Sequence, residues 1–411
     1  MFTSIGSTSN EHPCRATLNN ALVLCLPCPG AYGFAVPDSV VELLQELIRI
    51  PSVNPDGDPG TEYTCEANLA AWLTPWLAEM GYAVTLDEIL PGRPNLIARA
   101  PGSNNRPRIL LGPHLDTVGV GGMSIDPFGG ELRDGRIWGR GASDTKGPMA
   151  AMLWGLYENR DILKSLPVAV DFVGFMAEES SQWGSKDFAK NYAADYEFAL
   201  VGEPTSLDLV HVTKGALWLT LLTEGIAAHS SQPERGENAI LKLTRSLDRL
   251  DRELRPSLEQ FTHPVLGSPT LNVGVISGGT RANIIPDHAQ AQIDIRTVPT
   301  LVADQTALGF VQKFVGTHDL PISLTNPVEN PPMETPVEHP WMQRLLSIHP
   351  SSTAVGAPWF SDAAHLSAAG LPSICVGPGS IDQAHTKDEF ISKTDLEAGA
   401  DWFTALLRAL E

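Results

Sequence analysis

The sequence predicts an α/β protein in which a mostly parallel sheet is flanked by helices and a ferredoxin-like α+β domain is inserted. Three observations support this fold class. The chain of 411 residues exceeds what one hydrophobic core normally organises. Helical patterns alternate with short apolar runs over most of its length, which is typical of a parallel sheet. Between about 211 and 326 the order changes to β-α-β-β-α-β, the split arrangement of ferredoxin-like domains.

The main domain is predicted to open with two helices. Ser39-x-x-Glu42 is a capping box that starts the first helix, and Pro51 stops it. An amphipathic helix follows over about 61–80, with Gly81 at its end. Short apolar runs bounded by turn residues predict buried strands. These strands are expected at about 82–88, 95–100, 108–112, 168–176, 196–201 and 371–376, with a buried helix at about 148–157.

The inserted domain is predicted from its own succession of patterns. Its strands are expected at about 210–223, 270–277, 289–297 and 320–325, and its helices at about 237–254 and 301–316. The sheet-and-helix pattern of the main domain resumes after Pro331, so the insertion interrupts that domain. The predicted divisions are an irregular N-terminal extension at 1–36, the two parts of the main domain at 37–210 and 327–411, and the inserted domain at 211–326.

Composition excludes some classes of partner. The formal net charge of −20 argues against nucleic acid and against an anionic membrane, because both require a basic surface. No apolar run approaches the roughly 20 residues that span a bilayer. Five scattered cysteines do not form a disulfide framework, which favours a reducing, cytoplasmic location. The apolar segment 21–26 after Arg15 leaves secretion as an alternative, although a disordered extension or an upstream start codon is favoured.

Residues that can bind metal follow several of the predicted strands. His114 and Asp116 come directly after the strand at 108–112, and residues two apart in extended backbone face the same side. A carboxylate beside a histidine commonly orients a metal-binding ring. Open α/β sheets place their ligand crevices at the carboxyl ends of the strands. The later strands end in the same way, at Glu178 and Glu179, at Glu203 and before His385.

Asp144 lies in a glycine-rich loop. The sequence Trp138-Gly-Arg-Gly-Ala-Ser-Asp144-Thr-Lys-Gly147 precedes a predicted buried helix, so an N-cap is an alternative role for Asp144. The Gly-x4-Gly-Lys-Ser/Thr pattern of a phosphate-binding loop is absent.

The collected donors indicate a particular kind of metal site. Two histidines and several carboxylates without thiolates fit zinc, or a similar divalent ion, in a catalytic site. Six candidate donors have been named, and even if one acid is set aside the remaining five ligands are too many for one tetrahedral ion with an open position. They suit two ions that share a carboxylate at a separation of roughly 3.5–4 Å, which leaves one acid as a general base.

On these motifs the chain resembles the zinc-dependent superfamily of aminoacylases, carboxypeptidases, acetylornithine deacetylases and succinyl-diaminopimelate desuccinylases. The resemblance covers roughly 37–411, and the motif sequences around Glu203 and His385 are most similar to those of acetylornithine deacetylases. The matching motifs are Gly-Pro-His114-Leu-Asp116-Thr-Val, Gly-Arg-Gly-Ala-Ser-Asp144-Thr-Lys-Gly, Ala-Glu178-Glu179-Ser, Gly-Glu203-Pro-Thr and Ala-His385-Thr-Lys-Asp-Glu389-Phe.

The resemblance implies a role for each residue. The implied metal ligands are His114 and Glu203 for one ion, Glu179 and His385 for the other, and Asp144 between them. Asp116 is implied to orient His114. Glu178 is implied to take a proton from the bridging water and to deliver it to the leaving amine. Two Zn²⁺ are expected, with Co²⁺ or Mn²⁺ possible on the same donors.

The resemblance also assigns residues of the inserted domain, which is then a lid and a dimerisation domain. It implies that His229 supports the oxyanion in the other subunit of a homodimer, while Asn283 and Arg296 hold the substrate. From the residues alone, an ordinary surface or turn position is an alternative for each of the three, and it is favoured for His229. Ser361-Asp362-Ala-Ala-His365 occupies the place of a loop near the substrate, and His365 is expected on a helix surface.

The predicted function is therefore hydrolysis of the amide bond of a small N-acyl amino acid. N-acetyl-L-ornithine is the substrate that the resemblance favours. A carboxypeptidase, a dipeptidase or a succinyl-diaminopimelate desuccinylase with the same site is the nearest alternative. A non-catalytic binding protein on this fold is the alternative from a different class.

Overall fold

The computed structural model describes residues 37–56, 65–102 and 105–411, together with two short strands in the N-terminal segment. The two strands, Ala16–Leu18 and Ala21–Val23, pair with each other in antiparallel register. Residues 1–36 and 37–411 form separate compact units. The rest of the predicted N-terminal extension, including residues 24–26 of its apolar segment, lies outside the described residues.

The helices and strands are numbered in chain order. The strands are β1 (Ala16–Leu18), β2 (Ala21–Val23), β3 (Ala83–Leu90), β4 (Arg93–Arg99), β5 (Arg108–Pro113), β6 (Glu131–Arg133), β7 (Arg136–Trp138), β8 (Ala169–Gly174), β9 (Phe198–Gly202), β10 (Leu209–Thr213), β11 (Gly215–Glu224), β12 (Ala228–His229), β13 (Thr270–Gly278), β14 (Ile284–Ile285), β15 (His288–Thr297), β16 (Ser323–Asn330), β17 (Met333–Glu334), β18 (Ala354–Ala357), β19 (Ser373–Cys375) and β20 (Phe390–Ser392). The helices are α1 (Val40–Arg49), α2 (Ala67–Glu79), α3 (Lys146–Glu158), α4 (Trp183–Tyr192), α5 (Ala239–Arg249), α6 (Arg255–Ser257), α7 (Pro299–Val302), α8 (Ala307–Thr317), α9 (Pro340–Ile348), α10 (Ala363–Ala368) and α11 (Lys393–Arg408).

A large sheet forms the centre of the main domain. Its strands follow the order β17-β10-β19-β9-β5-β8-β4-β3, and β18 also pairs with β10. The four central strands β19, β9, β5 and β8 are parallel, whereas β4 pairs with β8 in antiparallel register and β3 pairs with β4 in antiparallel register. Helices α1, α3 and α11 pack against one another. Helices α4 and α10 share an apolar cluster with strand residues such as Leu110 and Ala199. The predicted α/β class with a mainly parallel central sheet is confirmed.

The first helix shows how the local sequence sets an element boundary. Ser39 caps α1 by accepting a hydrogen bond from the Glu42 main-chain N–H at 3.2 Å. The Glu42 carboxylate in turn accepts the main-chain N–H of Asp38 at 2.9 Å. The apolar residues at helical spacing, from Val40 to Ile48, are buried against the main core. The predicted capping box is therefore present, with Glu42 reaching one residue further back than the standard pattern.

The inserted domain has the predicted β-α-β-β-α-β order. Its four strands form an antiparallel sheet in the order β13-β15-β11-β16, with α5 and α8 as the main helices. Alternate residues of β11, including Leu217 and Leu219, are buried in the same apolar cluster as Leu243 of α5 and Val311 of α8. The intervening residues of β11 and β15 form the opposite face of the sheet, which no helix of this domain covers among the described residues.

Two predicted elements of this region differ from the structure. The prediction of one continuous strand at 210–223 is wrong, because the region forms two strands, β10 and β11, with Lys214 between them. Strand β10 pairs within the large sheet and β11 within the sheet of the inserted domain. The predicted helix at 301–316 consists of α7 and α8, separated by residues 303–306. The limits 37–210, 211–326 and 327–411 of the domain division stay a prediction.

None of the helices in the described part of the chain is long and apolar enough to cross a lipid bilayer.

Candidate metal centre

The parallel core of the large sheet brings the candidate donors to one edge. His114 follows β5, Glu178 and Glu179 follow β8, and Glu203 follows β9 directly. His385 comes after β19 and a short 3-10 turn. Because β19, β9, β5 and β8 are adjacent and parallel, their carboxyl ends lie side by side.

Asp144 enters the same edge from a different direction. It lies between β7 and the N-terminus of α3, and the Asp144–Thr145 peptide bond is cis. The Thr145 hydroxyl donates to the main-chain oxygen of Gly202 at 2.6 Å, which ties this loop to the end of β9. Lys146 is buried, and its ammonium group donates to the main-chain oxygen of Ile50 at 2.7 Å. The alternative role of Asp144 as an N-cap is wrong, since the N-cap position of α3 is occupied by Thr145.

One group of donors consists of His114, Asp144 and Glu203. A ligand atom from each lies within 4.8 Å of the others, and all three residues are buried. His114 Nε2 is 3.0 Å from Asp144 Oδ1. Glu203 Oε1 is buried and has no hydrogen-bond partner among the described residues. Because a buried carboxylate oxygen without a partner is costly, the geometry fits a cation between these groups.

A second group consists of Asp144, Glu179 and His385. Ligand atoms of these residues also lie within 4.8 Å of one another. His385 Nε2 is 3.0 Å from Glu179 Oε2 and 3.4 Å from Asp144 Oδ2. Glu179 Oε1 is again buried without a hydrogen-bond partner in the described chain. Asp144 therefore belongs to both groups and directs a different oxygen to each of them.

Asp116 holds the neighbouring loop rather than the imidazole alone. His114 Nδ1 lies 2.8 Å from the main-chain oxygen of Asp116, and the nearest carboxylate oxygen is 3.5 Å away. The Asp116 carboxylate accepts the main-chain N–H groups of Glu178 at 3.0 Å and Glu179 at 3.1 Å. It also accepts the Asn54 side-chain amide at 2.6 Å. The ring is thus fixed mainly by the Asp116 main chain, while the carboxylate orients the two adjacent acids.

The electrostatics of the cluster favour a bound cation. Burial raises the pKa of Glu178 and Glu203 well above the usual glutamate value, and burial together with nearby Asp144 raises the pKa of Glu179 to about 7. Hydrogen bonds to Asp144 and Glu179 raise the pKa of His385 to about 10. Several carboxylates in a space with little water are difficult to ionise together unless positive charge is supplied.

Asp362 and His365 are buried polar residues at the start of α10, and Asp362 interacts electrostatically with His114 and Asp116 of this cluster. Asp362 precedes α10 and accepts a hydrogen bond from the Ser185 hydroxyl at 2.5 Å, while its other oxygen has no partner among the described residues. Burial raises the pKa of Asp362 to about 7 and lowers the pKa of His365 to about 3. The expectation that His365 lies on a helix surface is wrong, because its side chain is buried against Phe360.

The three candidates of the inserted domain lie outside the donor groups. His229 is exposed, and its Nδ1 accepts the main-chain N–H of Ser231 at 3.2 Å. Asn283 is exposed and lies beside it, because β12 and β14 pair with each other. Arg296 is engaged with Asp294 at 3.1 Å. Across the described ranges, no hydrogen bond or ion pair connects His229, Asn283 or Arg296 with the metal donors.

Sequence reasoning did not assign roles to Asn54 and Asp362. Asn54 lies more than sixty residues before Asp116, whose carboxylate accepts its side-chain amide, and the sequence around it has only the signature of a turn. Asp362 lies in a segment that the resemblance puts near the substrate, but nothing in its spacing indicates that its carboxylate is buried.

Nitrogen and oxygen donors gathered at the carboxyl ends of parallel strands define a metal-dependent enzyme of the α/β class. The chain belongs to peptidase family M20/M25/M40, whose family model matches residues 110–409. This membership confirms the predicted superfamily and a hydrolase that acts on amide bonds, and it implies use of divalent metal ions.

The sequence relatives support this family membership, and the matching solved structures share the fold. The acetylornithine deacetylase of Proteus mirabilis (strain HI4320) is 32% identical over 375 residues, which cover 87% of this chain and 93% of the relative. That of Vibrio campbellii (strain ATCC BAA-1116) is 31% identical over 369 residues, covering 86% and 94%. An M20 family metallo-carboxypeptidase from Sulfolobus solfataricus has the same fold, with a TM-score of 0.70 at 18% identity over 91% of this chain and 99% of that one. Aminopeptidase PepT from Bacillus cereus matches with a TM-score of 0.68 at 20% identity over 90% and 98%.

Proposed function

We propose that this protein hydrolyses the amide bond of an N-acyl amino acid, with N-acetyl-L-ornithine as the first candidate substrate. The observation that carries the proposal is the pair of donor groups that share Asp144. The sequence similarity to acetylornithine deacetylases over most of the chain supports the choice of acyl group and amino acid.

The proposed cofactor is a pair of Zn²⁺ ions. His114 and Glu203 would hold one ion, Glu179 and His385 would hold the other, and Asp144 would contribute one oxygen to each. The donors are all nitrogen or oxygen, and two of the buried carboxylate oxygens lack any other partner within the described residues. When bound, the ions polarise the scissile carbonyl and lower the pKa of water. Co²⁺ and Mn²⁺ accept the same donors, so metal analysis of the purified protein is needed to identify the native ion.

Glu178 is the proposed general base. It stands next to the ligand Glu179, and its carboxylate lies within 4.8 Å of ligand atoms of His114 and Glu179. Its main chain is fixed, because the Glu178 N–H donates to the Asp116 carboxylate. From this position Glu178 takes the proton of the attacking water and delivers it to the leaving amine. Burial favours the neutral carboxyl, which supports the second of these transfers.

Arg296 and Asn283 are proposed to hold the substrate. Arg296 offers a planar guanidinium that can bind a carboxylate through two parallel hydrogen bonds. It lies on the uncovered face of the inserted sheet, over the ring of Trp218, and is now paired with Asp294. The carboxylate of the substrate therefore has to compete with Asp294 for this guanidinium.

His229 is proposed to act in the other subunit of a homodimer, where it supports the oxyanion. Its exposure and its lack of contact with the donors of the described chain are consistent with that role. The proposed dimer interface is the edge strand β13, which exposes Val273, Val275 and Ile276. An uncovered apolar edge strand is a common site of pairing between identical chains.

The division into a catalytic domain (37–210 and 327–411) and a lid (211–326) is part of the same proposal, as is a cytoplasmic location. Cys65 and Cys375 are free thiols among the described residues, which suits a reducing compartment.

A substrate panel tests the proposed function. The metal-loaded protein is assayed for release of acid or amino acid from N-acetyl-L-ornithine, other N-acetyl amino acids, N-succinyl-diaminopimelate and dipeptides. The highest kcat/KM for an acetyl amino acid is the expected result. A preference for dipeptides or for the succinyl compound would contradict the acetyl assignment. Less than one divalent ion per chain, with no hydrolysis after reloading, would favour a non-catalytic binding protein.

A further inference from the structure

We propose that Glu389 is a positioning residue whose carboxylate holds the loop 140–144 so that Asp144 can bridge two metal ions. The inference rests on the proposed dinuclear site. It concerns a residue that contacts neither the substrate nor the ions and that acts through Asp144.

The Glu389 carboxylate is completely buried and has four hydrogen-bond donors. Oε2 accepts the Arg140 guanidinium at 2.7 Å and the Gly141 main-chain N–H at 3.1 Å. Oε1 accepts the main-chain N–H groups of Ser143 at 2.8 Å and Asp144 at 3.0 Å. Three main-chain N–H groups of a single loop thus converge on one carboxylate, which is the geometry of an anion-binding nest.

These hydrogen bonds hold the backbone of Asp144 in the position from which its side chain extends. Because the Asp144 N–H is fixed to Glu389, the direction of its Cα–Cβ bond is fixed as well. From this backbone position, Oδ1 lies 3.0 Å from His114 Nε2 and Oδ2 lies 3.4 Å from His385 Nε2. A small rotation of the loop would remove one of the two oxygens from its group of donors.

Glu389 is itself anchored close to the second group of donors. Its main-chain oxygen accepts the Gly139 N–H at 3.1 Å, and the following strand β20 pairs with β7. It lies four residues after His385, so one short segment supplies both a donor and the support for the bridging carboxylate. The segment therefore connects the geometry of Asp144 with that of His385.

A purely structural role for Glu389 makes a different prediction. If its only contribution is the buried ion pair with Arg140, then Arg140→Gln damages the site as much as Glu389→Gln does. If the main-chain N–H groups are what matters, Arg140→Gln leaves three of the four bonds intact and spares the metal site.

The experiment compares three variants of the full chain after removal of metal. Glu389→Gln places an amide NH₂ opposite main-chain N–H groups. Arg140→Gln removes the charged partner of Glu389, together with the hydrogen bonds that the guanidinium donates to the main-chain oxygen of Gly119 at 3.2 and 3.1 Å. Glu329→Gln is the matched control, because that carboxylate also accepts main-chain N–H groups, from Ala307 at 2.7 Å and Leu308 at 3.4 Å, but lies in the inserted domain. Each protein is titrated with Zn²⁺ by calorimetry, its Co²⁺ absorption spectrum is recorded, and the Tm of the metal-free form is measured.

We expect Glu389→Gln to weaken binding of at least one Zn²⁺ by about 10- to 100-fold and to change the Co²⁺ spectrum. Arg140→Gln and Glu329→Gln are expected to lower the Tm while both ions bind as in the wild type. If Glu389→Gln does not fold, Glu389→Asp keeps the charge on a shorter side chain and is expected to give the same loss of affinity. Wild-type affinity and spectrum in the Glu389 variant, or an equal loss in Arg140→Gln or in Glu329→Gln, would overturn the inference. Failure of the wild-type protein to bind two ions would instead contradict the proposed function.

Discussion

Glu178 and Glu179 are adjacent and chemically identical, yet the proposed mechanism gives them different tasks. Glu179 shares a donor group with Asp144 and His385, and its Oε2 lies 3.0 Å from His385 Nε2. Glu178 belongs to neither of the two groups that contain Asp144. The same substitution at the two positions should therefore separate catalysis from metal binding.

Glu178→Gln preserves the shape of the side chain and the main-chain hydrogen bond to Asp116, but it removes the proton acceptor. A positioned general base typically contributes about 10²- to 10⁴-fold to the rate. This corresponds to about 3–5 kcal/mol of transition-state stabilisation, at about 1.4 kcal/mol for each factor of ten. We expect kcat to fall by this factor, with the metal content unchanged.

The assay measures kcat, KM and bound metal for Glu178→Gln and Glu179→Gln side by side. Glu179→Gln is expected to lose metal affinity, and added Zn²⁺ should restore part of its activity. Glu178→Gln should not respond to added metal. The assignment is refuted if Glu178→Gln keeps kcat within a few-fold of the wild type, or if it loses metal while Glu179→Gln retains it.

Four further results are expected. Asp116→Asn keeps an acceptor oxygen for only one of the N–H groups of Glu178 and Glu179 and places an amide NH₂ against the other, so metal affinity or kcat should fall by about 10- to 100-fold, and an unchanged value would contradict this role. Chelation should lower the Tm, because ions that bind only the folded chain at 100 times their Kd add about 2.7 kcal/mol to its stability; an unchanged Tm would indicate that no ion was bound. Burial lowers the pKa of His349 to about 4, so the unfolded chain gains this proton first and the free energy of unfolding should fall as the pH drops from about 6.5 towards 4. His349→Phe should reduce that slope, measured by denaturant titration, and an unaltered slope would refute the assignment. Ile276→Lys on the exposed edge of β13 should give monomers in light scattering and lower kcat, whereas an intact dimer would exclude this edge as the interface.

The positions of most donors could be predicted from the sequence because two simple rules act together. Short apolar runs identify buried strands, and the parallel arrangement brings the carboxyl ends of those strands to one edge. His114 and Glu203 follow their strands closely, so their proximity depends only on the pairing of β5 with β9. Asp144 does not follow a strand of this sheet, and its place between two groups could be expected only from the resemblance to a family.

The break between β10 and β11 and the role of the Asp116 carboxylate depend on tertiary contacts, which a local sequence pattern does not predict. The apolar alternation around Lys214 continues across the change of sheet, so the break between β10 and β11 was not predictable from periodicity. The expectation that the Asp116 carboxylate orients His114 came from their spacing and from the resemblance to a family. In the folded chain the main-chain oxygen of Asp116 has that task, because its carboxylate accepts hydrogen bonds from Asn54 and from the loop after β8.

The central claim is that Asp144 bridges two divalent ions. Diffraction from crystals of the zinc-loaded protein, with anomalous data at the zinc edge, tests it most directly. The account predicts two anomalous peaks about 3.5–4 Å apart, one beside each oxygen of Asp144. A single peak, or a second peak remote from Asp144, would contradict it.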